Sequence, residues 1–231
     1  MRRACIVLVT LALAPIACGS PASTEHPASA QPPAPSAQHP DAADRRPKIV
    51  ILGDSLTAGL GLPVAQAYPT LLQQKADAEG LHYEVVNAGV SGDTSAGGLS
   101  RLDWSLQGDV RILVVALGGN DALRALPVEQ LSDNLATIIG RAQQRGITVI
   151  LAGMEAPTNW GREYDVSFHK VYPALAARFH VALVPFLLQG VAGSETLNQA
   201  DGIHPTAAGA RIVADNVWQV LKPVAEQRQT S

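Results

Sequence analysis

The sequence predicts an α/β fold, a three-layer sandwich in which helices cover both faces of a five-stranded parallel sheet. From Pro47 onward, short runs rich in Val and Ile alternate with longer stretches of helical periodicity, as in repeated strand–helix–strand units. The runs also lack polar alternation, and residues 112–116 read Ile-Leu-Val-Val-Ala. Continuous apolar strands are typical of parallel sheets, so we expect every strand to be buried on both faces.

The predicted elements follow one another in strict alternation. Strands are predicted at residues 48–53, 82–87, 111–117, 147–152 and 181–184. Helices are predicted at residues 68–79, 94–106, 128–145, 162–179 and 206–221. Reactive groups of such sheets collect in the loops at the carboxyl ends of the strands, so the residues that follow each strand are the first candidates for a site.

Length and composition indicate one well-buried domain with an amino-terminal tail. The chain has 231 residues, of which 47% are hydrophobic, and its formal net charge is -3. Without a basic run it has no electrostatic footprint for a polyanion, so we expect no nucleic-acid partner. Both cysteines, Cys5 and Cys18, lie near the amino terminus, which leaves the predicted domain without a disulfide or a cysteine nucleophile.

The first 18 residues are typical of an export signal. Arg2 and Arg3 supply the positive region, and residues 4–14 supply an apolar region that is too short to span a bilayer as a mature helix. We therefore expect the mature protein to be exported to the periplasm.

Cys18 resembles the lipidated cysteine of bacterial lipoproteins, although Pro15 stands where that pattern prefers Leu. We expect a lipid on Cys18 and membrane anchorage; the alternative is plain cleavage near Ala22 and release. Residues 19–47 are rich in Pro, Ala, Ser and Gln without apolar periodicity, a composition typical of a disordered tether. The domain itself is predicted at residues 48–231.

Ser55 is the candidate nucleophile. The first strand ends in Gly-Asp-Ser-Leu, and the following residues should open a helix. A serine between a strand end and a helix start exposes its hydroxyl in the cleft, where backbone N–H groups stabilise negative charge. The tetrapeptide by itself is equally compatible with a serine that only caps a helix.

Asp201 and His204 supply the matching acid and base. They precede the last helix at a three-residue separation, which lets the carboxylate reach Nδ1 and leaves Nε2 free for the proton of Ser55. Metal ligation by the same pair is the alternative, and the lack of clustered His and Cys spacing disfavours it. We interpret the remaining histidines as incidental, without an acidic residue at matching spacing: His26, His39, His82, His169 and His180.

Gly92 and Asn120 are candidate oxyanion donors. Gly92 follows the second strand and lets the backbone approach a ligand closely, while Asn120 follows the third strand and carries a neutral amide donor. With the Ser55 N–H they would form a three-donor oxyanion hole. Taken singly, each has a local alternative, a turn glycine and a helix cap.

These residues lie in four strings that resemble the SGNH, or GDSL, hydrolase family, most closely its arylesterase branch. The strings are residues 53–59, 90–95, 118–121 and 201–205. The resemblance runs from residue 48 to the last helix and implies a flavodoxin-like fold and a serine hydrolase that needs no cofactor or metal. It also implies Ser55 as nucleophile, His204 as base, Asp201 as its orienting acid, and Gly92 and Asn120 as oxyanion donors. Asp54 and Asp121 of these strings would brace the loops.

The expected reaction is hydrolysis of a small-molecule acyl ester or thioester by a monomeric enzyme. Thr57 occupies the second glycine position of a Gly-x-Ser-x-Gly elbow, which disfavours the α/β-hydrolase fold. Loops at residues 60–63, 122–127 and 154–164 carry apolar groups for the acyl chain, among them Leu123 and Trp160. The alternatives are a carbohydrate O-acetyl esterase of the same superfamily and a non-catalytic binding lipoprotein.

Overall fold

The computed structural model describes residues 46–230, which include all of the predicted strands and helices. The predicted signal peptide, Cys18 and the predicted tether up to residue 45 lie outside the described residues. Among the helices of residues 46–230, none is long and apolar enough to cross a bilayer.

Five parallel strands form one sheet in the order β2-β1-β3-β4-β5. The strands are β1 (Lys48–Gly53), β2 (Glu84–Gly89), β3 (Val110–Ala116), β4 (Thr148–Ala152) and β5 (Ala182–Val184). β1, β3 and β4 are runs of Val, Ile and Leu that are almost wholly buried, because β-branched side chains pack well between a sheet and the helices on it. The strand order reverses between β1 and β3, and the loops after these two strands border the crevice where such sheets bind ligands.

Eight α-helices surround the sheet. They are α1 (Ser55–Ala58), α2 (Tyr68–Ala78), α3 (Ser95–Ser100), α4 (Leu102–Ser105), α5 (Gly119–Leu123), α6 (Val128–Gln144), α7 (Arg162–Phe179) and α8 (Ala207–Gln229). One face of the sheet is covered by α2 and α8, which pack on each other, and the other face by α3, α6 and α7. The predicted three-layer α/β sandwich is therefore confirmed.

The expectation that every strand is buried on both faces is wrong for the two edge strands, β2 and β5, and in β5 only Val184 is buried. β2 lies at the edge of the sheet, and only Ala88 of its six residues is fully buried. An edge strand has a neighbour on one side only and packs fewer side chains.

Two predicted helices differ from the observed ones, and the other element bounds agree within two residues. The helix predicted at residues 94–106 is two short helices, α3 and α4, because Arg101 adopts φ -107° and ψ 9° between them. The helix predicted to end at residue 221 continues as α8 to Gln229 despite the internal Pro223. Leu221 and Ala225 on either side of that proline are both fully buried, and this packing holds the last turns in place.

Candidate active site

A tight turn at the end of β1 carries Ser55 as the first residue of α1. The side chain of Asp54 caps this helix, since its Oδ1 accepts the N–H of Leu56 at 3.0 Å. Gly59 ends the helix with φ 75°, a left-handed conformation that glycine adopts without steric cost. The Gly-Asp-Ser-Leu string thus folds into a single turn, with Ser55 on the wall of a cavity.

Ser55, His204 and Asp201 form one chain of hydrogen bonds. His204 Nε2 lies 2.8 Å from Ser55 Oγ, and His204 Nδ1 lies 2.7 Å from Asp201 Oδ2. A carboxylate only accepts hydrogen bonds, so the imidazole proton belongs on Nδ1 and Nε2 accepts from the serine hydroxyl. This is the protonation pattern in which a histidine can act as a base toward serine.

The Asp201 carboxylate is fixed by the backbone as well as by the imidazole. Its Oδ1 accepts the N–H groups of His204 at 3.0 Å and Ile203 at 2.9 Å. These backbone bonds, followed by the bond from the His204 ring, lower the pKa of Asp201 to about 2. Asp201 is therefore ionised throughout the neutral range and holds the imidazole ring in one orientation.

Asn120 lies in the first turn of α5, after β3, and lines the same cavity as Ser55 and His204. Its Nδ2 donates to Asp54 Oδ2 at 3.3 Å, and Gly118, the residue before α5, has φ 116°. A side-chain amide has two N–H groups. One N–H of Asn120 therefore binds Asp54, and the second remains for a ligand in the cavity.

Asp54 is a buried carboxyl group next to the serine. Asp54 is 2% exposed. Burial raises the pKa of its carboxyl group from 3.8 to about 6, although the hydrogen bonds from Leu56 and Asn120 lower that pKa. Desolvation disfavours the charged form more than these bonds favour it. Asp54 therefore titrates near neutrality rather than in the acid range.

Gly92 occupies the turn after β2 and is not among the residues that line the cavity. Its φ is 84°, and its carbonyl accepts a hydrogen bond from Arg124 Nη2 at 2.9 Å. The structure thus brings Ser55, His204, Asp201 and Asn120 together, and sets Gly92 on the neighbouring strand end. α5 is joined to the start of α3, just after this turn, because the Asp121 carboxylate accepts both the N–H (2.8 Å) and the hydroxyl (2.6 Å) of Ser95.

The cavity beside Ser55 has a volume of about 340 Å³. Its apolar walls come from the loops after β3, β4 and β5 and from the segment before His204: Leu123, Met154, Ala156, Pro157, Phe186, Leu188, Ala192 and Ile203. Of the two side chains expected in the pocket, Leu123 lines it and Trp160 does not. Leu60 and Leu62 line a second cleft of about 10 Å³ that also borders Ser55 and His204 and is too small for an acyl chain.

His169, which has no acidic residue at matching spacing in the sequence, has an acidic partner in the fold. His169 Nδ1 lies 2.8 Å from Glu155 Oε1, and Glu155 also lines the cavity. The two residues are 14 positions apart and belong to α7 and to the loop after β4, so no sequence spacing could have revealed the pair.

No group of three or more His, Cys, Asp or Glu residues suited to a metal ion occurs within residues 46–230. The two-residue pair of Asp201 and His204 thus has no further metal ligand among the described residues.

The chain is similar to known hydrolases in sequence and in fold. The sequence profile of the GDSL-like lipase/acylhydrolase family matches residues 51–212. The chain is 47% identical to Esterase TesA of Pseudomonas aeruginosa over 177 residues, 76% of this chain and 88% of that protein. It is 38% identical to Thioesterase 1/protease 1/lysophospholipase L1 of Escherichia coli K12, over 76% of this chain and 84% of that protein. The crystal structure of TesA matches with a TM-score of 0.74 and 46% identity, over 76% of this chain and 98% of that one.

Proposed function

The chain belongs to the GDSL-like lipase/acylhydrolase family and is a serine ester hydrolase, and on that basis we propose that Ser55, His204 and Asp201 are its catalytic triad. The observation that carries the proposal is the continuous chain of short hydrogen bonds, 2.8 Å from Ser55 to His204 and 2.7 Å from His204 to Asp201. Such a chain gives a serine hydroxyl the base that it needs to attack a carbonyl.

The reaction follows from these contacts in two steps. Ser55 Oγ attacks the acyl carbonyl while His204 Nε2 takes its proton and then passes it to the leaving alcohol or thiol. A water molecule, activated by the same nitrogen, then attacks the acyl-enzyme and releases the acid. Asp201 stays ionised throughout and stabilises the imidazolium that forms in both steps.

The negative charge on the carbonyl oxygen is held by three donors in this proposal: the backbone N–H groups of Ser55 and Gly92 and the amide of Asn120. The bond from Asn120 to Asp54 supports this role, because it fixes the amide before substrate arrives. Fixed donors stabilise a developing oxyanion without reorganising during the reaction.

The substrate is an acyl ester or thioester whose acyl chain occupies the 340 Å³ cavity. The apolar walls suit a hydrocarbon chain, and a volume in the range of small-molecule pockets, about 300–1,000 Å³, supports this use. The names of the relatives, an esterase and a thioesterase/lysophospholipase, support this substrate class over the carbohydrate O-acetyl ester and over a non-catalytic binding protein. The monomeric state stays a prediction.

The test of the triad is hydrolysis of p-nitrophenyl esters of graded chain length by Ser55→Ala, with Ser194→Ala as a matched control. Both serines lie near glycines, but the Ser194 hydroxyl bonds to the Thr196 hydroxyl at 3.2 Å rather than to a histidine. We expect Ser55→Ala to lose at least about 10³-fold in kcat and Ser194→Ala to keep wild-type activity. Retained activity in Ser55→Ala would refute the proposal.

The test of the acyl site is the chain-length profile of Leu123→Ala, because Leu123 lines the cavity and is 44% exposed. Removing its side chain widens the cavity, so we expect kcat/KM to shift toward longer acyl chains. Val64→Ala is the control, since Val64 is 79% exposed and lies away from the cavity. An unchanged profile in Leu123→Ala would exclude this wall from the acyl site.

For the amino terminus we propose export by residues 1–18, periplasmic anchorage through a lipid on Cys18, a tether at residues 19–47 and a catalytic domain from residue 48. The composition of each segment supports this order. The measurement is incorporation of an alkyne fatty acid by the full chain, compared in Cys18→Ser and Cys5→Ser. Labelling that disappears only in Cys18→Ser is expected, and an unlabelled wild-type chain would favour cleavage and release.

A further inference from the structure

Arg101, which separates α3 from α4, sends its guanidinium to the ends of two neighbouring strands. Its Nη2 donates to the carbonyl of Gly53 at 2.8 Å, and its Nη1 donates to the carbonyl of Ala88 at 2.7 Å. Gly53 is the last residue of β1 and lies two positions before Ser55, while Ala88 is the penultimate residue of β2. One side chain thus joins the end of β1, which precedes Ser55, to the end of β2, which precedes the Gly92 turn.

The position of these carbonyls explains why a charged side chain is needed there. Gly53 pairs with Gly89 in the last rung of the β1–β2 ladder, and its carbonyl also accepts the N–H of Val90 at 3.0 Å. The guanidinium gives the Gly53 carbonyl a second donor and also binds the Ala88 carbonyl, so it extends the bonding between the two chains at the point where both strands end.

The same guanidinium also holds the turn that contains Gly92. Its Nε donates to Asp93 Oδ2 at 2.6 Å, and the two side chains are only 16% and 18% exposed. Asp93 directly follows Gly92, and its N–H donates to the carbonyl of Val90 at 3.1 Å. With Gly92 at φ 84°, residues 90–93 have the closing bond and the positive φ of a type II turn.

We propose that Arg101 is a positioning residue for catalysis. Its guanidinium fixes the distance between the strand end before Ser55 and the Gly92 turn, so that the N–H groups of Ser55 and Gly92 can bind the same oxyanion. This inference rests on the proposed function, because it concerns the distance between the serine and one of its oxyanion donors. Arg101 itself does not line the cavity and touches no reacting atom. Its effect on the reaction passes through Gly53, Ala88 and Asp93.

Arginine suits this position because its planar fork presents five N–H donors in fixed directions. Lysine supplies a single ammonium group and cannot reach two strand-end carbonyls and a carboxylate with the same geometry. Arg101→Lys should therefore restore only part of what Arg101→Met removes. Asp93→Asn is a milder change, because it removes the charge of the pair and keeps an acceptor oxygen at the same place.

The experiment measures kcat and KM of Arg101→Met, Arg101→Lys and Asp93→Asn, with active sites counted by a p-nitrophenyl phosphonate that phosphonylates the serine and releases one p-nitrophenol per site. Inhibition by an alkylboronate, which mimics the tetrahedral intermediate, is compared with inhibition by the product carboxylate. Arg111→Met is the matched control, because Arg111 also donates its Nε to an aspartate at 2.6 Å but is 52% exposed at the start of β3. Thermal unfolding of each variant is recorded alongside.

We expect Arg101→Met to lose about 10- to 100-fold in kcat per active site with KM nearly unchanged, because misplacing a group by about 1 Å has effects of this size. Boronate affinity should fall by a similar factor and product affinity should not, with Arg101→Lys intermediate. A purely structural role would lower the unfolding temperature and leave kcat per active site unchanged.

Wild-type kcat per active site in Arg101→Lys and Asp93→Asn would overturn the proposal, whether or not Arg101→Met folds. An equal loss in Arg111→Met would overturn it as well. Activity that survives in Ser55→Ala, measured in parallel, would instead refute the proposed triad, so the two failures are distinguishable.

Discussion

Replacing Asp54 by Asn should make the protein more stable and less active at the same time. Asp54 is 2% exposed, and its carboxylate bears the cost of burial beside Ser55. Asparagine has nearly the same shape, and its carbonyl oxygen can still accept the N–H of Leu56. The substitution therefore removes the charge without opening a cavity.

The size of the effect follows from the pKa of Asp54, which burial raises from 3.8 to about 6. At ~1.4 kcal/mol per pKa unit, this corresponds to about 3 kcal/mol. Between about pH 4 and pH 6 the folded state binds more protons than the unfolded state, so the free energy of unfolding falls as pH rises. The variant lacks this loss, but its bond from Leu56 becomes neutral and its amide nitrogen cannot accept the long 3.3 Å bond from Asn120, which together offset about 1 kcal/mol. We expect a net gain of about 2 kcal/mol above pH 6.

The assay is urea unfolding of the wild type and Asp54→Asn at several pH values from 4 to 8, with the exposed Asp133→Asn as control. The stability difference between Asp54→Asn and the wild type should grow from pH 4 to pH 6 and then stay constant. At pH 8 the same variant should have a lower kcat, because Asn120 loses the carboxylate that accepts its N–H. A stability difference that does not vary with pH would refute the reasoning about Asp54.

Two further substitutions test neighbouring contacts. Asp201→Asn should lower kcat by about 10³–10⁴-fold, since an amide does not hold His204 in the required tautomer. The amide oxygen still accepts the backbone N–H groups of Ile203 and His204, so steady-state kinetics should show the loss while circular dichroism stays unchanged. Tyr68→Phe removes the buried 2.7 Å bond between Tyr68 and Thr57 below the nucleophile turn and should lower the free energy of unfolding by about 1–3 kcal/mol. An unchanged urea midpoint would show that Thr57 finds another partner.

The sheet and the proposed triad could be predicted because their signals are local. Parallel strands that are buried on both faces read as continuous apolar runs, and β1 was predicted with its observed bounds, Lys48–Gly53. Asp201 and His204 are three residues apart, so their contact also follows from spacing. Ser55 is 149 positions from His204, and the two could be paired only through the resemblance of their sequence strings to one hydrolase family.

What could not be predicted depends on contacts between distant elements. The exposure of β2 results from its place at the sheet edge, which its composition does not reveal. The contacts of Arg101 are equally hidden, because its partners are carbonyl groups on two strands, 13 and 48 positions away. Local propensity describes a residue's own backbone, whereas each of these features is decided by the partner that the fold supplies.

The polar residues that surround the site outside the triad have a common arrangement, in which each joins two strand-end loops. Asp54 bonds to Asn120 across the reversal of strand order, and Asp121 bonds to Ser95 between the loops after β3 and β2. Arg101 joins the ends of β1 and β2. A buried polar contact offsets the free energy of desolvating its groups only when both partners are held in place. At residue 54 a neutral side chain would give a more stable protein than the carboxylate. We therefore interpret the buried Asp54 carboxyl group as a contact that sets the spacing of the loops. The reaction depends on that spacing, and the protein is less stable because of it.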